Sequence, residues 1–395
     1  MFALSKSIVR ITSFTGKELR EVFRRPGVLA SLILGPFGIM LVFGLGYTGT
    51  RQPFDTEIVI PRGVSLPTDP ATYQQLGGGR IRVVRVGDDP TGARDRLARE
   101  QIDLVVEVPA NAVDELRAGH QTTVKIAWNE IDPVYDQLAQ LAVTTLVSAI
   151  NSEIIRQVAA QGISVAGGEA PIELSPDVIA EPTKAKGTNV APSPPQVINF
   201  FGPAVFALVL QHLAVTLTAL SMVRERLSGQ MDLFRVSPVT STEVLLGKYI
   251  AFAVLCLAVS GVVAMTLVYV LGVPMLAGWL VFVGIVLLLT FAALGVGLLI
   301  SLVSDSERQA VQLSMLVLLA SVFFSGFVLP VEDFIGPVQY LSYALPVTHG
   351  IETLQQAMLR GSVSSTWMLA ALAGIGLVLF VASLLRLRRV LRSAD

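Results

Sequence analysis

The chain has 395 residues, 52% of them hydrophobic and 15% charged, with a formal net charge of −1. Soluble domains carry about 25% charged residues, so this composition and a mean hydropathy of +0.65 point to a membrane protein, without the basic field that nucleic acid requires. The single cysteine, Cys256, excludes an intrachain disulfide and a cysteine metal cluster.

The first segment, 1–26, reads as an amphipathic cytoplasmic helix. Leu4, Ile8, Ile11, Leu19 and Val22 form one stripe, and Lys6, Arg10, Lys17, Arg20 and Arg24 lie nearly opposite. That pattern suits a helix lying in the inner interface against anionic lipid. No small-residue cleavage site follows a short apolar core, so the start is not read as a signal peptide. A charge-free interval then supplies transmembrane helix 1, over 27–50.

Residues 51–195 read as an α/β domain. Short β-type runs occur at Ile58–Ile60, Ile81–Val86, Leu104–Val108 and Val124–Trp128. Helical patterns alternate with them, at Gly92–Glu100, at Asn111–Ala118 and from Asp132, which caps a helix with Pro133 in its first turn. Ala142, Val143, Leu146, Ile150, Ile154 and Val158 give that helix an apolar stripe. The charge-free interval Gln137–Ser152 is short and carries Gln140, Thr144, Thr145, Ser148 and Asn151, so it is not read as a span. Pro182, Pro192, Pro194 and Pro195 make Glu181–Gln196 a linker back to the membrane.

Helix 2 is expected over 196–223, and a cytoplasmic loop over 224–247. The loop holds Arg224, Glu225, Arg226, Gly229, Met231, Asp232, Leu233, Phe234, Ser237 and Pro238, then a second short helix capped by Ser241 or Thr242 with Glu243 in its first turn. Exposed Met231, Leu233 and Phe234 would suit a surface that docks a soluble partner. Helices 3 (248–271) and 4 (279–303) form a hairpin broken at Gly272–Pro274, and helix 5 covers 309–330. An external loop over 331–362 contains Pro330, Glu332, Pro346 and Glu352 near or within it and reads as re-entrant or interfacial helices, either a gate or a seal. Helix 6 covers 363–386 and a cytoplasmic tail 387–395. Lysine and arginine concentrate before helix 1, in 224–247, at Arg308 and in the tail, so both termini are read as cytoplasmic and 51–195 as external.

Gln211 and His212 in helix 2, and Gln312, Ser314, Ser321, Phe324 and Ser325 in helix 5, are candidates for a substrate path, with interhelical hydrogen bonding as the alternative for each polar one. No Asp, Glu, Lys or Arg lies deep in an expected span, which argues against a proton relay or voltage sensor. Gly247-Lys248-Tyr249 lacks the upstream glycine and the hydroxyl of a phosphate-cradling loop, so ATP has no site here. There is no HExxH, and the three histidines are scattered, so no metal or catalytic site is expected.

These segments, in this order, resemble the ABC type-2 permease family. The resemblance rests on Arg224-Glu225-Arg226 with Gly229; on Val236-Ser237-Pro238-Val239 with Glu243 and Leu246-Gly247-Lys248; on Leu329-Pro330, Leu345-Pro346, Ile351-Glu352 and Arg360-Gly361; and on Lys17-Glu18-Leu19 with Arg24-Arg25-Pro26. The external domain, with Leu104–Pro109 before a helix, is similar to the drug, antibiotic and sodium exporter branch. Gln230 stands where the family often has threonine, and Gln355 where arginine is common, so no role is carried to Gln355.

The resemblance implies six transmembrane helices in the exporter fold, with the external α/β domain between helices 1 and 2. It implies that loop 224–247 couples to two separate ATPase subunits, which bind ATP and Mg, while this chain holds no cofactor and is no enzyme by itself. It implies pairing with a second copy or a related permease, helices 2 and 5 along the path, and a bacterial inner-membrane location. The cargo expected is a hydrophobic or amphipathic small molecule, with sodium as the alternative. A membrane sensor with an external ligand-binding domain is the rival of another class, and it would need a cytoplasmic output domain larger than this loop.

Overall fold

The computed structural model describes residues 39, 42–47, 53–62, 67–74, 79–111, 115, 120–165, 181–231 and 241–392, with backbone alone for 153–165 and 390–392. The chain divides into an α/β unit, Thr50–Phe200, and a helical unit formed by Met1–Gly49 with Phe201–Asp395.

The α/β unit runs β1 (Phe54–Val59), β2 (Ile81–Gly87), α1 (Pro90–Ala98), β3 (Leu104–Glu107), β4 (Thr122–Trp128), α2 (Pro133–Val165) and β5 (Thr183–Asn189). The sheet order is β2-β1-β3-β4-β5, parallel throughout except for the antiparallel β3–β4 pair. Period-2 alternation gives it two apolar faces. Ile58, Ile60, Leu104, Val106, Val124 and Ile126 face α2 through Ala142, Val143 and Leu146. Val59 and Val105 face the other way, onto Ala93 and Leu97 of α1. Both helices start as their sequences dictate: Asp89 Oδ1 accepts from Thr91 N at 3.0 Å and Asp132 Oδ1 from Val134 N at 2.7 Å, each followed by proline.

Strand β5 corrects the linker expected over Glu181–Gln196. Its sequence, TKAKGTN, offers no apolar alternation, because along it only Thr183 is buried. Backbone pairing to β4 and side-chain clasps hold it instead. Asn151 of α2 accepts from Thr183 N at 2.8 Å and donates to Thr183 O at 3.0 Å. Gly187 is required, since a Cβ there would stand 2.9 Å from the Trp128 ring.

The helical unit contains α3 (Val197–Leu227), α4 (Ser241–Met265, extended by a π turn over Thr266–Val270), α5 (Trp279–Val303) and α6 (Glu307–Phe324). A 3-10 turn (Val331–Asp333) leads to α7 (Gly336–Ala344), α8 (Pro346–Gln355, extended by a π turn over Gln356–Arg360) and α9 (Thr366–Arg392). Among the described residues, five helices are long and apolar enough to cross a membrane: α3, α4 with its π turn, α5, α6 and α9. Helix α2 is not one of them. The expected helix 1 lies outside the described residues except at 39 and 42–47, where Ile39, Val42, Phe43 and Tyr47 pack on Phe324, Phe334 and Val338. The expected helix over 1–26 and most of that over Asn111–Ala118 also lie outside them.

Helix α5 is the hub, packing against α4, α8 and α9. Glycines permit the closest approaches. A Cβ on Gly297 would meet the Val215 carbonyl of α3 at 2.4 Å, and one on Gly295 or Gly376 would meet Leu379 or Phe291 across the α5–α9 contact at 2.6 and 2.5 Å. Four boundaries differ from those expected. Helix α3 continues past 223 to Leu227, so Arg224, Glu225 and Arg226 are helical. Helix α4 starts at Ser241 and runs unbroken, with no separate short helix, because Ser241–Lys248 joins the same packed helix. Helix α6 ends at Phe324, and Ser325–Leu329 is irregular up to Pro330. Helix α9 continues beyond 386 to Arg392. The α4–α5 turn is bonded to the second π turn, Leu276 N to Met358 O at 3.1 Å and Ala277 N to Ala357 O at 2.9 Å.

Candidate functional site

One end of the helical bundle gathers the C-termini of α3 and α9, the N-terminus of α4 and the α5–α6 turn. Three consecutive residues of α3 grip three neighbours. Arg224 Nε meets Glu307 Oε2 at 2.9 Å, on the first turn of α6. Arg226 donates to the Ser304 carbonyl at the end of α5. Glu225 pairs with Lys248 of α4, whose Nζ also donates to Ser221 Oγ at 3.1 Å. The Lys248 and Glu225 side chains are 12% and 18% exposed, whereas those of Arg224 and Glu307 are 62% and 45% exposed. The first pair is therefore internal and the second sits at the rim.

This alters the expected geometry. Glu225 points into the bundle at Lys248, because α3 and α4 converge at this end. Met231 is buried, 8% exposed, so it adds no open apolar surface. Gly229 has a φ of +75° just after α3 and lies open, which suits the left-handed residue that stops a helix. Asp232, Leu233, Phe234, Ser237 and Pro238 lie outside the described residues.

Midway along α3, Gln211 Nε2 donates to Ser321 Oγ in the last turn of α6 at 2.8 Å, with both side chains buried. Gln211 Oε1, His212 Nδ1 and Ser325 Oγ are buried polar atoms with no hydrogen-bond partner. Ser314 bonds back to Ala310 O at 2.8 Å within α6. Gln312 is half-buried. Phe324 sits in the apolar cluster with Phe334 and Val338, 1% exposed, so it is a core residue and not a lining one. The two antiparallel helices are thus tied at two levels, Arg224–Glu307 at one end and Gln211–Ser321 in the last turn of α6, and the Phe201–Phe327 ring pair at 5.7 Å joins α3 to the segment that follows α6. The two ties are about 20 Å apart along each helix, at 1.5 Å per residue.

At the other end, Pro330 precedes the 3-10 turn that holds exposed Glu332, and Pro346 starts α8. Glu352 accepts from Gln356 Nε2 at 2.8 Å, and the same amide reaches Ser365 Oγ at 3.2 Å. Glu332 and Glu352 both lie within electrostatic reach of Tyr343. His349 emerges here as a residue that periodicity does not single out. Its ring lies 6.1 Å from Tyr343 and 5.8 Å from Trp367. Its Nε2 is 2.8 Å from the Tyr343 carbonyl, which only accepts, so Nε2 carries the proton. Among the described residues, no group of three or more His, Cys, Asp or Glu is placed to hold a metal ion.

Known proteins match this chain along most of its length. The family model described as "ABC-2 family transporter protein" matches residues 26–385. The "Probable multidrug ABC transporter permease YbhS" of Escherichia coli (strain K12) is 22% identical over 90% of this chain and 89% of its own length. The "Inner membrane transport permease YhhJ" of the same organism is 30% identical over 54% of this chain and 58% of its own length. The "ABC transporter G family member 20" of Dictyostelium discoideum is 25% identical over 52% of this chain and 28% of its own length.

Proposed function

The chain belongs to the ABC-2 family of transporter proteins, and from that premise we propose that it is the transmembrane subunit of an exporter moving a hydrophobic or amphipathic small molecule, driven by ATPases on separate chains. Two ATPase subunits, holding ATP and Mg, act beneath two copies of the permease or one copy with a related chain. The chain spans the bacterial inner membrane with both termini inside. Its α/β unit lies outside, and segment 1–26 lies on the inner interface. The relative with a multidrug permease name supports this class of cargo.

The observation that carries the coupling proposal is the triple grip of Arg224, Glu225 and Arg226. A push on the segment just beyond Met231 reaches α4, α5 and α6 at once, because α3 holds all three by charged or charge-assisted contacts. The α3–α6 ties extend that push to Gln211 and Ser321. Closure of the ATPases would then shift the population of bundle states toward one open outward. Inside-out vesicles carrying the permease with its ATPase provide the test. ATP should drive uptake of a lipophilic dye and leave sodium flux at background. Sodium uptake without dye uptake would replace the cargo, and neither would overturn the reading.

A further inference from the structure

Helix α9 has two opposed faces along its whole length. Leu372, Gly376, Ser383 and Leu387 are buried against the bundle. Turned away from them, on one stripe at helical spacing, lie Trp367, Leu377, Val378, Val381 and Leu385, all exposed. The same stripe ends in exposed Arg388 and Arg389, and 366–392 contains no Asp or Glu. Trp367 and Arg388 stand about 30 Å apart at 1.5 Å per residue, which matches the hydrocarbon thickness of a bilayer. A tryptophan thus marks one interface and an arginine pair the other, with bare apolar surface between.

Arg388 is also held in place. Its Nη2 donates to Thr242 Oγ1 at 3.3 Å on the first turn of α4. That partner is neutral, and among the described residues Arg388 has no ion pair. We propose that the outward face of α9 is a binding site for an anionic phospholipid, with acyl chains along Leu377–Leu385 and the headgroup phosphate on Arg388 and Arg389. A second copy of this chain fits the face poorly, because a two-fold contact would bring the arginines of both copies together. The lipid phosphate supplies an opposite charge, and a guanidinium can meet it with two parallel hydrogen bonds.

The test uses the full chain, purified in mild detergent and titrated with phosphatidylglycerol or phosphatidylcholine of the same acyl composition, with bound lipid counted by native mass spectrometry. Each arginine near a membrane surface favours anionic lipid about fivefold, so phosphatidylglycerol should bind at least tenfold tighter. R388Q/R389Q should erase that preference, whereas R388K/R389K should keep most of it, which separates lost charge from lost fold. Inorganic phosphate at millimolar concentration should not displace the lipid. Equal binding of the two lipids by the unaltered chain, or a preference that survives R388Q/R389Q, overturns the proposal. Displacement by inorganic phosphate would make this a soluble-anion site and overturn it equally.

Discussion

The two units of this protein differ in how completely they pair their buried polar groups. In the α/β unit they close into networks. Asp136 of α2 accepts from Trp128 Nε1 at 2.7 Å, Asn189 Nδ2 at 2.8 Å and Gln140 Nε2 at 2.8 Å. Glu57, 1% exposed, meets Arg96 through two bonds of 2.6 and 2.8 Å, and Asn151 satisfies Thr183. Ser193 Oγ is the exception. In the helical unit, Gln211 Oε1, Thr216 Oγ1, Tyr249 Oη, Ser260 Oγ, Thr290 Oγ1, Ser325 Oγ and Ser383 Oγ are buried without partners. That unit coheres through glycine-mediated contacts of α5 with α3 and α9. The first unit thus pairs nearly all of its buried polar groups, whereas the second leaves several unpaired beside others, such as Thr218, Ser314 and Thr353, that bond back within their own helices.

Four substitutions can break or sharpen this contrast. Asp136→Ala orphans three donors at once and should destabilise the α/β unit by about 3 kcal/mol. Limited proteolysis of the full chain should then cut within 53–189, leaving the helical unit protected. Gly297→Ala drives a methyl group onto the Val215 carbonyl and should cost about 2 kcal/mol by overpacking, read as a lower unfolding temperature in detergent. Gln211→Leu removes one neutral hydrogen bond, so folding should change by about 1 kcal/mol or less while transport falls at least tenfold. If abundance in the membrane fell as far as transport, Gln211 would serve folding alone. Arg224→Gln breaks a rim pair worth about 0.5 kcal/mol and should leave the unfolding temperature unchanged, with any loss confined to coupling.

Apolar pattern made much of this architecture legible in the sequence. Ile81–Val86 and Val124–Trp128 announce strands because their faces alternate, and Trp279–Val303 announces a span because nothing in it is charged. Strand β5 stayed hidden because its stability comes from backbone pairing and from Asn151, which acts across 32 positions of sequence. The start of α4 was legible in Ser241, Thr242 and Glu243 as a helix, but its continuity with the span was hidden, because Lys248 reads as a boundary until it is seen to face Glu225. Long-range pairs such as Arg224–Glu307 have no local signature. The candidate site was therefore readable as a list of residues in an expected loop, but that Arg224–Arg226 continue α3, and which of them turn inward, came only from the fold.

The account's central claim is that the α3–α4 end transmits the work of a separate ATPase. ATP hydrolysis by the assembled complex in lipid vesicles, measured beside co-purification of the ATPase, tests it most directly. Leu233→Ser with Phe234→Ser should strip the ATPase from the permease. Glu225→Gln, which weakens an internal pair with Lys248 and leaves the docking segment intact, should keep assembly but abolish stimulation of hydrolysis by cargo. Undiminished assembly and undiminished stimulation in both variants would contradict the claim.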